Sequence, residues 1–406
     1  MDVRAPQLRL TLRNFSLGAF LALQQEVERG ADVPFAFEAH PTVGAQALYE
    51  YRPLVRGFVE ERAHLLRALP DARLAVEDLR REPSAAIFAR AHAGAGPTEE
   101  QAVFRTVLLP LVISTAEASG GFDWHDDAFD RAYAELERSL FGQHRAYAAV
   151  APLVGISAGE QVELGGGVRV RHMAAGELSG LWPEAQGLLP PEFGRAPDRL
   201  CVVELRADLP RGEAQPPDAP GELADAVTAL RLATAAPVAA GPVLFERLDF
   251  RPLGIRPLLP IAGTQPPGEP SRLDGFRGGL ARDLRERLPL ADADRELAEA
   301  LDRWELALFA EEPFRGGHLR EALESLLGRG DGLWAAALRG SLLLGETARE
   351  RATLLEKLRE RPSRDHVRRA LVETLAHGDR AALLAALDAA LLGTGPRPAS
   401  VYSRAA

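Results

Sequence analysis

One lysine, Lys357, and one cysteine, Cys201, stand in a chain of 406 residues. A lone cysteine excludes an intrachain disulfide and any cysteine-built zinc centre. Within Leu200-Cys201-Val202-Val203 it reads as a small buried hydrophobe. Because lysine is nearly missing, the 48 basic residues are almost all arginine. A GC-rich coding bias produces the same composition, so the abundance of arginine says little about chemistry. No window offers the ~20 consecutive apolar residues of a bilayer-spanning helix. Met1-Asp2-Val3-Arg4 lacks the basic-then-apolar pattern of a signal peptide. A nucleophile elbow, an HExxH pair and a dinucleotide fingerprint are also missing. Gly165-Gly166-Gly167 has neither a following helix nor a Lys-Ser/Thr, so it is no phosphate loop. The expectation is a cytoplasmic, prokaryotic protein with no cofactor. A net charge of −10 argues against a general nucleic-acid coat but leaves room for a local basic groove.

Hydrophobic residues at 46% and charged residues at 26% describe a folded chain, and its length suits two or three domains. The pattern predicts a mainly α protein with a small β-containing middle region, α+β overall. Residues 1–150 read as helical, with apolar residues at three- and four-residue intervals over Phe15 to Val27 and Tyr51 to Leu69. Gly94 to Thr98 breaks the chain and Thr98-Glu99-Glu100 reopens a helix. Pro110 should kink or end the apolar helix over Phe104 to Ile113. Asp126 or Asp127 should cap a helix reaching Phe141. Residues 151–275 differ. Gln161 to Leu164 and Val168 to Arg171 alternate around the glycine triplet as a hairpin does. Leu200 to Leu205 and Val243 to Phe250 are further strand candidates, Leu223 to Thr234 a helix, and Pro210 to Gly221 and Gln265 to Gly268 loops. Residues 276–395 read as a helical bundle, with helices over 295–309, 318–327, 333–344, 349–359, 364–376 and 380–392 and with Gly328, Gly345 and Gly378 at helix ends. Residues 396–406 form a tail.

Between Arg349 and Arg369 lie eight basic residues against four acidic ones. Arg359, Arg361 and Arg364, with His366, form a candidate nucleic-acid-binding patch. The same residues also suit a solvated helix face laced with pairs such as Glu356–Arg359 and Asp365–Arg369. A histidine titrates near neutrality, so His366 or His377 beside arginines can act as general acid or base in attack of a ribose 2′-OH on its phosphate. Arg361 and His366 have four residues between them but span Pro362. His377 precedes Gly378, which also suits a helix end favoured by the dipole, and Asp379 would cap the next helix. Asp123-Trp124-His125-Asp126-Asp127 is a conceivable metal site, although helix capping accounts for its aspartates. Glu321 and Glu324 can orient basic residues in the bundle.

Leu301-Asp302-Arg303-Trp304, the run Leu319 to Leu327, the run Leu338 to Gly345, and Leu375-Ala376-His377-Gly378 together resemble the Apea-like HEPN domain. Leu108 to Leu111, Ala151 to Gly155 and Thr228 to Leu232 are similar to segments upstream of that domain in longer relatives. The resemblance implies a helical, usually dimeric protein pairing through this bundle. It also implies metal-independent RNA endonuclease activity in phage-defence, toxin–antitoxin or CRISPR systems, with RNA and a defence-system protein as partners. Its active motif is similar to Arg-Ser-x-Ile-Val-His-Gly, which falls on Val372 to Gly378. His377 and Gly378 match, while Val372 stands at the arginine position and Glu373 at the polar one. The resemblance therefore implies His377 as acid or base, with Arg369 or Arg368 substituting for the missing arginine. The alternative is a HEPN fold that has lost the nuclease and binds a protein or nucleic-acid partner.

Overall fold

The computed structural model describes residues 5–40, 48–93, 97–142, 144–173, 177–182, 185–190, 193, 200–210, 217–249, 251–258 and 269–401. The expected break at 94–96 and the loops at 211–216 and 265–268 lie outside them. The architecture is mainly helical around a central antiparallel sheet, with a C-terminal helical bundle.

The N-terminal helices close on their own core. Pro6–Glu28 buries Leu8, Leu12, Phe15, Ala19 and Leu23, a stripe of helical period. The helix expected from Tyr51 begins only at Val55, because Leu48–Pro53 is a strand (β2) paired antiparallel with Phe35–His40 (β1). The alternation Leu48-Tyr49-Glu50-Tyr51-Arg52 carries that signal, and Pro53 cannot donate into a preceding helical turn. Thr98 caps its helix through a reciprocal pair with Gln101. Pro110 does not end the helix, which continues to Ser119. Instead, Leu109 N bonds to Phe104 O five residues back, and this widened turn over Phe104–Leu108 leads into Leu109–Ser119. The combined Glu99–Ser119 stretch has the length and composition to cross a bilayer, yet 72% of its apolar window is buried in this core. Asp126 and Asp127 open the helix Asp126–Phe141, but neither caps it. Asp126 instead accepts from Arg13 at 2.6 Å and from Trp124 Nε1 at 3.1 Å, bonds that hold its carboxyl below the usual range.

The sheet begins earlier than the composition suggested, at His144. His144–Val154 (β3) is its long central strand. It is flanked by Cys201–Pro210 (β7) on one side and Val243–Leu248 (β9) on the other. Val162–Glu163 (β5) and Val168–His172 (β6) extend the β7 side, and Arg251–Pro257 (β10) extends the β9 side. The short strands Ile156–Ala158 (β4) and Ala239–Ala240 (β8) pair with Ser271–Leu273 and with the end of β3, respectively. The glycine triplet turns β5 into β6 with φ of +80°, +55° and +78°, values that L side chains rarely adopt. Alternation sorts the two faces. Tyr147, Ala149, Val170, Cys201, Val203 and Leu205 face the main core, where Cys201 is fully buried and its thiol pKa is raised by burial. Val150, Val202 and Phe245 face a smaller cluster around Trp182.

The main core runs without a break from the sheet through helix Ala219–Thr234 into the bundle. One ion pair marks the junction. Arg231, 2% exposed, reaches Glu305 at 3.0 Å and Val238 O at 2.7 Å, and Thr228 also donates to Glu305. The bundle comprises Arg295–Phe309, Phe314–Leu327, Gly332–Leu344, Ala348–Glu360, Arg364–His377 and Arg380–Leu391. Gly378 ends its helix in the left-handed region at φ +79°, and Asp379 caps the next by accepting from Ala382 N at 2.8 Å. Gly328 and Gly345 are not left-handed. A side chain at Gly328 would meet Glu324 O at 2.5 Å.

Candidate nucleic-acid interface

The proline at 362 parts two helices, and Ser363 starts the second. Its hydroxyl accepts from His366 N at 3.2 Å, while His366 Nδ1 accepts from Ser363 N at 3.4 Å. An accepting Nδ1 requires an unprotonated nitrogen there, and burial lowers the pKa of the ring, so His366 caps as neutral imidazole. Arg361 turns away from it towards Glu312, at 3.6 Å. Arg359 pairs with Glu360 at 3.3 Å, rather than the expected Glu356, and lies 5.8 Å from the centre of the Trp334 ring. Arg364 is half-buried; burial and the nearby Arg315 charge lower its pKa. Glu321 pairs with Arg303 at 2.9 Å, both side chains partly exposed.

Arg368 and Arg369 share a cleft of about 980 Å³ between helix Arg364–His377 and helix Gly275–Arg285. Arg368, not Arg369, takes Asp365, at 2.8 Å, and it also donates to Leu232 O at 3.0 Å. Arg369 is exposed and makes one long bond, 3.5 Å to Leu344 O. Val372 and Glu373 line the same cleft, and Glu373 accepts from Ser400 and from Val401 N at 2.8 Å. These bonds hold the tail at Ser400 and Val401. Arg397 also binds it down, donating to Leu342 O at 2.7 Å and Leu343 O at 3.1 Å.

His377 is not among the residues lining this cleft. It ends its helix eight residues after Arg369, about 12 Å along the axis, and its Nε2 is buried without a hydrogen-bond partner among the described residues. Two cleft residues escaped the sequence reading. Phe276, 72% exposed, and Arg277 project into the cleft from the first turn of their helix, which Asp274 caps. The available signal was an aromatic residue just after a capping aspartate and off the apolar stripe of Ala281 and Leu284. Among the described residues no group of three His, Cys, Asp or Glu side chains is placed to hold a metal ion. No protein-family model, curated protein or solved structure matches the chain.

Proposed function

We propose that the C-terminal bundle is a HEPN-like module that binds single-stranded RNA in this cleft without cutting it. The observation that carries the reading is the composition of the cleft. An exposed aromatic ring, Phe276, stands beside the arginines Arg277 and Arg369, while the histidine that would move protons is absent from the lining. A ring stacks a base and arginines hold the backbone, a combination that grips single strands with little regard to sequence. Val372 offers no charge where the resembling motif has arginine, and Arg368 is tied to Asp365 and a backbone carbonyl. Fluorescence anisotropy with a labelled oligoribonucleotide tests this. Phe276→Ala should weaken binding roughly tenfold, in the range of ~1–3 kcal/mol per stacked base, and Arg369→Ala should flatten the salt dependence. Unchanged affinity in both variants would reject the cleft as the site.

A second reading keeps the ribonuclease. It is favoured by the Nε2 of His377, which is buried with its hydrogen-bonding capacity unused among the described residues, and by the loose hold on Arg369. Under that reading the protein works in prokaryotic defence as a dimer, which brings two His377 regions together, and it cleaves RNA in the presence of a chelator to leave cyclic-phosphate ends. His377→Ala would abolish the cleavage.

A further inference from the structure

Away from the bundle, on the sheet face opposite the main core, four guanidiniums converge on one carboxylate. Glu204 on β7 has no exposed side-chain surface. It accepts from Arg169 at 2.7 Å, from Arg171 at 2.8 Å and from Arg206 at 3.1 Å, while Arg247 stands 3.8 Å away. Arg171 has a second carboxylate, Glu177, so four positive charges share two immediate negative ones. Glu163 lies at the sheet edge, held by Gln161, and Asp208 is exposed further along β7; neither makes an ion pair with these arginines among the described residues.

The register explains why two of the four remain available. Arg206 on β7 is paired with Ala148 on β3, and Ala148 is paired in turn with Arg247 on β9. All three point to the same face, and two inter-strand steps put the arginine α-carbons about 10 Å apart. The residue between them is a buried alanine, whose methyl group carries no charge or hydrogen-bonding group to satisfy the guanidiniums that run past it. Arg206 and Arg247 keep 51% and 32% of their side chains exposed. Arg206 uses only Nε on Glu204, and Arg247 makes no hydrogen bond among the described residues. Arg169 and Arg171 already fill the other oxygen of Glu204, so the outer pair has unused donors that the carboxylate cannot absorb.

We propose that Arg206 and Arg247, flanking Ala148, form a binding site for a phosphate group, which bridges their two guanidinium forks above the Glu204 carboxylate. Paired guanidinium forks match the oxygen geometry of phosphate, and the buried Glu204 sets their spacing and prevents collapse. The phosphate can belong to a free nucleotide or to a nucleic-acid backbone. This site is independent of the cleft at Phe276.

Isothermal titration of the full chain with inorganic pyrophosphate, a 5′-mononucleotide and a short oligonucleotide tests the proposal. Arg247→Gln removes no hydrogen bond from the fold and should leave the melting temperature unchanged while weakening pyrophosphate binding at least tenfold. Arg206→Gln should weaken pyrophosphate binding as much, with a lower melting temperature because its Nε bond to Glu204 is lost, whereas Phe276→Ala and Arg369→Ala should not affect pyrophosphate binding. A mononucleotide that binds as well as the oligonucleotide identifies a nucleotide site. With the cleft disabled by Phe276→Ala and Arg369→Ala, an oligonucleotide that still binds much better, and loses that gain on Arg247→Gln, identifies a backbone site. Absence of pyrophosphate binding to the wild type, or equal binding in both arginine variants, overturns the proposal.

Discussion

Arginine side chains in this protein hold backbone carbonyls as often as carboxylates. Arg339 spans Leu327 O and Gly328 O, each at 2.9 Å, and Asp388 at 2.7 Å. Arg380 reaches Ser325 O and Leu326 O, each at 3.2 Å, and Asp294 at 2.7 Å. Arg397 ties down the end of Gly332–Leu344 in the same way. Each supplies donors to the carbonyls that a helix leaves free at its C-terminus. Composition conceals this use, since an arginine count cannot separate a bracket from a phosphate ligand. The most demanding case is Arg231, whose Nη2 is buried without a partner among the described residues. Glu305→Ala leaves that guanidinium uncompensated and should lower stability by about 3–5 kcal/mol, read as a shift of the urea midpoint. A cost below about 1 kcal/mol would contradict the account. Ser363→Ala should cost about 1 kcal/mol without changing RNA affinity, because Ser363 and His366 hold the helix start and do not line the cleft at Phe276.

At the scale of elements, the bundle was legible because its helices carry strong periodicity and its caps use residues with a single clear purpose, such as Asp379 and Gly378. The hairpin around Gly165 to Gly167 was legible for the same reason. Gly167 has φ +78°, and a Cβ there would meet Arg206 O at 2.2 Å. Gly167→Ala should therefore destabilise the chain and also disturb Arg206, lowering both the melting temperature and pyrophosphate binding. A substitution that leaves both intact would show that the turn does not set the position of Arg206. Less could be read where long-range pairing decides. β3 looks like an ordinary small-residue stretch, Ala146 to Ala151, until β7 and β9 flank it. The Glu204 cluster comes from three strands far apart in sequence, so only register brings it together. The cleft was half visible. The helix bearing Arg368 and Arg369 was expected, but its opposite wall, Phe276 and Arg277, is placed by tertiary packing alone.

For the whole molecule, the sheet and the bundle share one core while the N-terminal helices keep another, so stability and function need not change together. Acid should expose this separation. Burial alone would raise the Glu204 pKa, but hydrogen bonds and charge from Arg171, Arg206 and Arg169 bring it from 4.5 down to about 2. A depressed carboxylate contributes its full stabilisation above its ordinary pKa and loses it as pH falls through the folded value. About 3 kcal/mol should therefore disappear between pH ~4.5 and ~2, measured as the urea midpoint against pH, and Glu204→Gln should flatten that limb. The central claim is that the bundle holds RNA without cutting it. Its most direct test is one incubation of the full chain with end-labelled single-stranded RNA and chelator, read for both retention and fragments. The account predicts salt-sensitive retention that Phe276→Ala weakens, with the RNA left whole. Cyclic-phosphate fragments that vanish in His377→Ala would contradict it and establish the nuclease.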